Sequence, residues 1–315
     1  MTSGSPPLPV LSLADQDRDP SGFAAALGTS FRESGFAIIA DHGVDPALIA
    51  RGWALTRDLF ALPEAAKRRY HRAEIFGQRG YTPFGIEIAK DADHVDLKEF
   101  WHIGRDLPQG HRFCDHMPDN LWPAEIPEFQ PVFSELYAAF DAVGARLLAA
   151  IARDLGLAPD WFEAATRDGN SVLRLLHYPP VSAEAPGIRA GAHGDINLIT
   201  LLLGAEEGGL QLLTRAGEWM SIAPPDGALV INVGDMLERL TNHVLPSTIH
   251  RVLNPPPARR HVPRYSMPFF LHLASDFLIK TLPGCISPDR PDRYPEPISA
   301  HDFLTERLID IGLKP

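Results

Sequence analysis

Two histidines and a carboxylate stand in the C-terminal half of this chain in a metal-binding order. They are His193-Gly194-Asp195 and, 55 residues further on, His250. Two imidazoles and one carboxylate make a three-ligand site for a divalent ion such as Fe(II), with coordination positions left open. Arg264 and Ser266 follow, two residues apart, so that on a strand both side chains share one face. An arginine and a hydroxyl so placed form a clamp for a carboxylate. An ion with open positions beside an anion clamp is the equipment of an oxygen-activating enzyme.

His-x-Asp alone proves little in a chain with 13 histidines and 40 acidic residues, and the pattern occurs twice. His94-Val95-Asp96 lies in a dense charged run, KDADHVDLKE, which reads as a solvated loop. His193-Gly194-Asp195 instead abuts the apolar stretch Leu198–Leu203, where both side chains can face one interior, with Gly194 leaving room near the ion. For the remaining ligand His243 falls in a turn-like Thr-Asn-His, His261 in a proline-rich loop, and His272 is a further candidate. Only His250 combines an apolar-flanked strand with the Arg-x-Ser pattern that follows.

These residues need a scaffold, and the chain from 171 onward is rich in short β-type segments. They fall at 171–178, 197–203, 209–213, 228–233, 247–253 and 264–273, separated by turn signals such as Gly208-Gly209 and Pro224-Pro225-Asp226-Gly227. Strands at this spacing indicate a sandwich or barrel, a double-sheet jelly roll among the economical solutions. The N-terminal third reads as mixed. Pro9–Leu13 and Gly35–Ile39 are strand candidates, and Asp19-Pro20, Asp45-Pro46 and Pro63-Glu64 open helices. Between Gln130 and Leu155 the apolar residues Val132, Phe133, Leu136, Phe140, Val143, Leu147, Ile151 and Leu155 recur at helical spacing. That predicts a long helix along the outside of a sheet. His301 to about Ile311 predicts a last one.

A formal net charge of −11 without a basic stripe argues against a nucleic-acid partner, and Lys67-Arg68-Arg69 reads as a solvated helix face. No apolar run is long enough to span a bilayer, so no membrane partner is expected. Two cysteines and no signal-peptide pattern point to a cytoplasmic protein. A monomer or weak homodimer acting on a small molecule is expected.

Taken in order, these motifs give the chain a family likeness. From about Pro9 to Leu313 it resembles the isopenicillin N synthase-like branch of the 2-oxoglutarate/Fe(II)-dependent oxygenases. The likeness rests on Gly35-Phe-Ala-Ile-Ile-Ala-Asp-His42-Gly43, Gly80-Tyr81-Thr-Pro83, Asp96-Leu-Lys-Glu99, Ala192-His193-Gly-Asp195, Gly209-Leu-Gln211, Asn232-Val-Gly-Asp235, His250-Arg-Val252 and Arg264-Tyr-Ser266. It implies a mixed α/β fold with a β-core, a double-stranded β-helix (jelly roll) with helices packed on its outer face. The whole chain, 1–315, is expected to be one domain. Within it lie a mixed N-terminal region 9–120, a jelly-roll core 171–275 and a C-terminal extension 276–315 with a helix.

The same likeness implies Fe(II) on His193, Asp195 and His250, with the distal carboxylate of 2-oxoglutarate on Arg264 and Ser266, completed by Tyr178. The implied activity is a dioxygenase that oxidises, most simply hydroxylates, a small organic molecule and releases succinate and CO₂. The chain departs from the family at Arg174-Leu-Leu-His177-Tyr178-Pro179-Pro180, where Leu176 and His177 replace an Asn and a Tyr. It also departs in spacing, since the usual interval selects Arg260 whereas Arg264 alone has Ser two residues on. Segment 77–104, with Tyr81, Phe84, Glu87 and Trp101, is the expected pocket mouth, and the C-terminal helix a lid. Asn232–Asp235 is expected to cap structure, and Arg251 to point away from the ion. The alternative is an oxidase or cyclase on the same iron without 2-oxoglutarate. A non-catalytic binding protein and a zinc hydrolase are the remaining readings, the latter without a His-Glu-x-x-His signature. The motifs do not identify the substrate.

Overall fold

The computed structural model describes residues 8–86, 95–182, 187–204 and 208–310. Asp19 and Asp45 act as read from the sequence. Each accepts a backbone N–H, from Gly22 and Ala47 respectively, and each is followed by a proline that opens a helix. The short helix α1 (Asp15–Arg18) precedes α2 (Pro20–Ser34), which stops at Gly35, whose φ of 72° lets its N–H cap the Phe31 carbonyl. The helices α3 (Pro46–Ala61), α4 (Glu64–Arg68), α5 (Phe129–Asp154) and α6 (Trp161–Thr166) follow. The α5 stripe is buried at Phe133, Leu136, Phe140, Val143, Leu147 and Ile151, and the flanking Val132 and Leu155 are partly covered.

The strands are β1 (Val10–Ser12), β2 (Phe36–Ala40), β3 (Gly80–Thr82), β4 (Glu99–Gly104), β5 (Val172–Tyr178), β6 (Ala190–His193), β7 (Ile199–Leu203), β8 (Leu210–Leu213), β9 (Trp219–Ser221), β10 (Leu229–Val233), β11 (His250–Val252) and β12 (Arg264–Leu271). Eight form a large sheet in the order β1-β2-β10-β7-β12-β5-β4-β3, and four form a small one in the order β6-β11-β8-β9. The two sheets make the expected double-stranded β-helix. Its inside is an apolar cluster drawn from both, including Phe36, Leu176, Tyr178 and Val230 from the large sheet and Ala190, Leu212 and Val252 from the small one. The outer face of the large sheet packs against α2, α3 and α5 in the main core. Period-two alternation explains the division, because successive side chains of one strand serve opposite cores. After β12, a two-stranded pair of β13 (Leu278–Ile279) and β14 (Ile298–Ser299) leads into α8 (Ala300–Asp310), while α7 (Asp235–Leu240) follows β10.

Three readings of exposure are overturned. Lys67 is buried and pairs at 2.7 Å with Glu99, although Arg68 beside it is exposed. Asp96, Lys98 and Glu99, expected in a solvated loop, are all buried, whereas His94 and Glu87 lie outside the described residues. Tyr81 and Trp101 are fully buried in the main core, so they face the helices and not a pocket mouth. The charged residues share one physical reason. A charge leaves water only where a partner receives it. Although Asp96 and Lys98 pair within one window, the contacts that cover them, such as Gly191 on Asp96, come from elsewhere in the chain, as Glu99 does for Lys67.

Candidate metal and cosubstrate site

Antiparallel pairing of β6 with β11 sets His193 directly opposite His250, and their ring centroids lie 4.4 Å apart. Asp195 reaches them from the loop after β6, where it is no longer on the strand. Strand alternation therefore does not account for the His193–Asp195 approach. The turn of the loop does. In the assembled triad Asp195 Oδ1 is 3.9 Å from His193 Nε2 and 3.8 Å from His250 Nε2, and all three donor atoms lie within 4.8 Å of one another.

The hydrogen bonds around the triad fix which atoms face inward. His193 Nδ1 donates to the Gly191 carbonyl at 2.7 Å and His250 Nδ1 to the Thr248 carbonyl at 3.2 Å. Both rings thereby present an Nε2 lone pair, the orientation metal-binding imidazoles take from an outer partner. Asp195 Oδ2 accepts from Thr200 Oγ1 and, at 2.8 Å, from Asn232 Nδ2, leaving Oδ1 for an ion. Thr200 and Asn232 are themselves cross-strand partners on β7 and β10. Donor atoms this close together would be able to share one divalent cation with metal–nitrogen bonds of about 2.1 Å, so the residues fit such an ion.

Electrostatics agree. Burial raises the Asp195 carboxyl, but His250, His193 and the bonds from Asn232 and Thr200 outweigh it and hold the group below the ordinary range. Removal from water, with the adjoining His250, pushes the His193 imidazole down to about 4, which keeps it neutral. Phe36 lies edge-on to His250, with centroids 5.7 Å apart.

Arg264, Ser266 and Tyr178 also meet. Arg264 pairs across β12–β5 with Tyr178, and Ser266 with Leu176. All four are at most 6% exposed, and the Arg264 guanidinium lies 5.0 Å over the Tyr178 ring. Leu176, at the position of the departure from the family pattern, joins the inner apolar cluster. His177 points the opposite way, stacks on Tyr265 and bonds Glu99 Oε1 at 2.7 Å. Arg260 is elsewhere, on the Ser182 carbonyl. His243 sits in its turn with a positive φ of 62°, and His272 is buried past the end of β12. Arg251 faces outward, its guanidinium on Gln211 and over the Trp219 ring.

Some neighbours are not anticipated by the motifs. Asn232 and Asp235 do more than cap structure, since Asn232 holds the Asp195 carboxylate and the Asp235 N–H binds the Asp195 carbonyl at 2.7 Å. Gly194 makes room behind the triad: a Cβ there would stand 3.1 Å from Asp235 Oδ1 and 3.2 Å from Ser247 Oγ. Asp96 accepts the Gly191 N–H at 2.9 Å and pairs with Lys98 at 2.8 Å, tying the lead-in of β4 to β6. Arg174 lies 4.3 Å over Phe100 and 5.2 Å over Phe270 and donates to His102. Alternation along β7 and the Asn-Val-Gly-Asp motif are the available signals for Thr200 and Asn232. None exists for the Asp96–Gly191 contact.

Comparison with known proteins places this geometry among relatives. Residues 8–125 match the family model of the N-terminal region of non-haem dioxygenases in morphine synthesis, and residues 169–273 that of the 2OG-Fe(II) oxygenase superfamily. A 2-oxoglutarate-Fe(II) type oxidoreductase of Aspergillus fumigatus is 32% identical over 98% of this chain and 94% of its own length. A crystal structure from Caulobacter crescentus, described as a 2OG-Fe(II) oxygenase family protein, is 57% identical with a TM-score of 0.91, covering 96% of this chain and 99% of its own. A full-length Neurospora crassa protein, crystallised in complex with alpha-KG, is 28% identical with a TM-score of 0.86 over 96% of this chain and 95% of its own.

Proposed function

The chain belongs to the 2-oxoglutarate/Fe(II)-dependent oxygenase superfamily, and we propose that its iron is held by His193, Asp195 and His250. It is a dioxygenase that uses Fe(II), 2-oxoglutarate and O₂ on a small-molecule substrate. Arg264, Ser266 and Tyr178 receive the distal carboxylate of 2-oxoglutarate. The reaction is a hydroxylation. The observation that carries the residue assignment is the inward convergence of two Nε2 atoms and one carboxylate oxygen, each oriented by a bond on its far side.

When bound, the iron would couple reduction of O₂, the oxidant, to oxidation of 2-oxoglutarate to succinate and CO₂ and of the substrate, one oxygen atom going to each. The chain's own residues do the positioning. Arg264 offers a planar fork of donors that a lysine cannot reproduce. The Tyr178 ring beneath it fixes the plane of that fork. Burial of the clamp strengthens each charge-assisted bond and keeps water from the reacting atoms. Thr200 and Asn232 hold Asp195 in its ionised form with Oδ1 turned inward. Phe100, His102, Arg174 and Phe270, clustered on β4, β5 and β12, form the wall against which the substrate lies.

Alpha-KG in the Neurospora relative and the intact clamp favour the cosubstrate reading over the oxidase alternative. The chain works in the cytoplasm as a single domain, monomeric or weakly dimeric, away from nucleic acid and membranes. Its net charge of −11 and two cysteines support this, and no helix among the described residues is long and apolar enough to cross a membrane. The test is anaerobic titration of Fe(II)-loaded protein with 2-oxoglutarate, following the weak visible charge-transfer band. A band that needs His193 and weakens in Arg264→Ala is expected. No band in correctly loaded protein overturns the reading.

A further inference from the structure

Asp235 occupies an unusual position behind the triad. Its backbone N–H binds the carbonyl of Asp195 at 2.7 Å. Its carboxylate lies against Gly194, between His193 and Asp195, beside the hydroxyl of Ser247. Ser247 opens the segment that runs to His250, and its own N–H donates to Glu238 Oε1, one turn along α7 from Asp235. One residue thus touches both stretches of chain that deliver the triad. The Asp235 side chain is only 15% exposed, and its Oδ2 receives Arg307 Nη2 at 2.7 Å. Arg307 comes from α8, 72 residues further along the chain. At its other end α8 is anchored by the Ala300 and His301 N–H groups on Phe277 and Ser275 carbonyls, and Phe303 and Leu304 pack on the main core.

We infer that Arg307 is a positioning residue of the metal centre, which neutralises Asp235 and so holds the two triad-bearing segments at the spacing a divalent cation requires. The inference rests on the assignment of His193, Asp195 and His250 as ligands. Its physical basis is the steep cost of leaving a buried carboxylate without its cation. An uncompensated Asp235 turns towards water, and its N–H and its contact with Gly194 go with it. The Asp195 backbone then loses its fixed place. Partners outside the ligand set commonly contribute roughly ten- to hundredfold to metal affinity. Arg307 acts through Asp235, one contact further out, so the low end of that range applies. The C-terminal helix then serves the metal site from behind, in addition to any role as a cover.

The experiment measures the dissociation constant of Mn(II), a redox-inert stand-in for the iron, by EPR on full-length wild type, Arg307→Gln, Arg307→Lys and Phe303→Ala. Thermal melts of the metal-free proteins run alongside. Arg307→Gln is expected to bind Mn(II) about tenfold more weakly, with Arg307→Lys recovering most of the loss. Phe303→Ala, which loosens helix packing but keeps the ion pair, is expected to lower the melting temperature with affinity unchanged. Unchanged or tighter binding in Arg307→Gln overturns the inference, because simple electrostatics predicts tighter binding when a cation is removed. An equal loss in Phe303→Ala also overturns it, since helix docking alone then explains the effect. His193→Ala separates the two levels. If wild type binds no better than His193→Ala, the ligand assignment itself has failed.

Discussion

The triad and the clamp face the same interior but are built in different ways. The clamp is a product of one strand and its neighbour: Arg264 and Ser266 alternate on β12, and Tyr178 stands opposite on β5. The triad is assembled from a strand end, a loop and a strand of the small sheet, and is then braced from the large sheet by Thr200 and Asn232. A clamp made by register survives small shifts of surrounding loops, because the ladder fixes the side chains. A triad made by convergence depends on every outer contact that aims it. The comparison predicts separable losses: damage near the triad weakens the ion, and damage at the clamp weakens the dicarboxylate.

Removal of a triad member is the strongest test. Asp195→Ala or His193→Ala should lower product formation by about a thousandfold or more and abolish the visible band, checked by succinate release and absorbance. Next, Arg264→Leu should raise the dissociation constant of 2-oxoglutarate by roughly ten- to a hundredfold, the worth of a charge-assisted pair. Mn(II) affinity without cosubstrate should stay at the wild-type value, and Arg264→Lys should recover little. If Arg264→Leu weakens Mn(II) equally, the two regions are one unit and the contrast fails. Asn232→Ala and Thr200→Val should do the reverse, with metal affinity down about tenfold. Their 2-oxoglutarate binding, measured at saturating metal, should hold.

The smallest effect concerns stability. Burial pushes His272 down to about 4, with Asp195 opposing and Arg79 reinforcing the shift. The unfolded chain takes up a proton near pH 6.5 that the folded chain refuses until about pH 4. Stability contributed by this histidine is therefore lost as pH falls through that window, with a slope of up to about 1.4 kcal/mol per pH unit. Urea melts of metal-free protein between about pH 4.5 and 6.5, inside that window, should show a shallower slope in His272→Phe. An identical slope assigns the acid sensitivity to the triad side instead.

The legibility of the chain follows the range over which each signal acts. Asp19-Pro20 and Asp45-Pro46 are complete local devices, so the helices they open are readable without a fold. The α5 stripe is equally plain, being one face of one helix. The burial of charges is illegible because at least one contact that covers them is distant in sequence, even where, as for Asp96 and Lys98, the ion pair itself is local. Lys67 is buried against Glu99, 32 positions away, and Asp96 against Gly191, 95 away. Tyr81 and Trp101 belong to the core rather than a pocket mouth because of the strand parity of β3 and β4, which their short sequences do not reveal. A one-residue change of parity exchanges inside for outside.

The order of two imidazoles, a carboxylate and an Arg-x-Ser pair, with the elements that carry them, is legible along the chain, because hydrophobic period and capping chemistry act within a few residues. Their convergence comes from the packing of the fold. That packing set His193 against His250 across β6 and β11, turned Asp195 inward from a loop, and brought Arg307 to Asp235 from the end of the chain. Those contacts join segments that no local interaction relates, and only the packing of two sheets and their helices brings them within bonding distance.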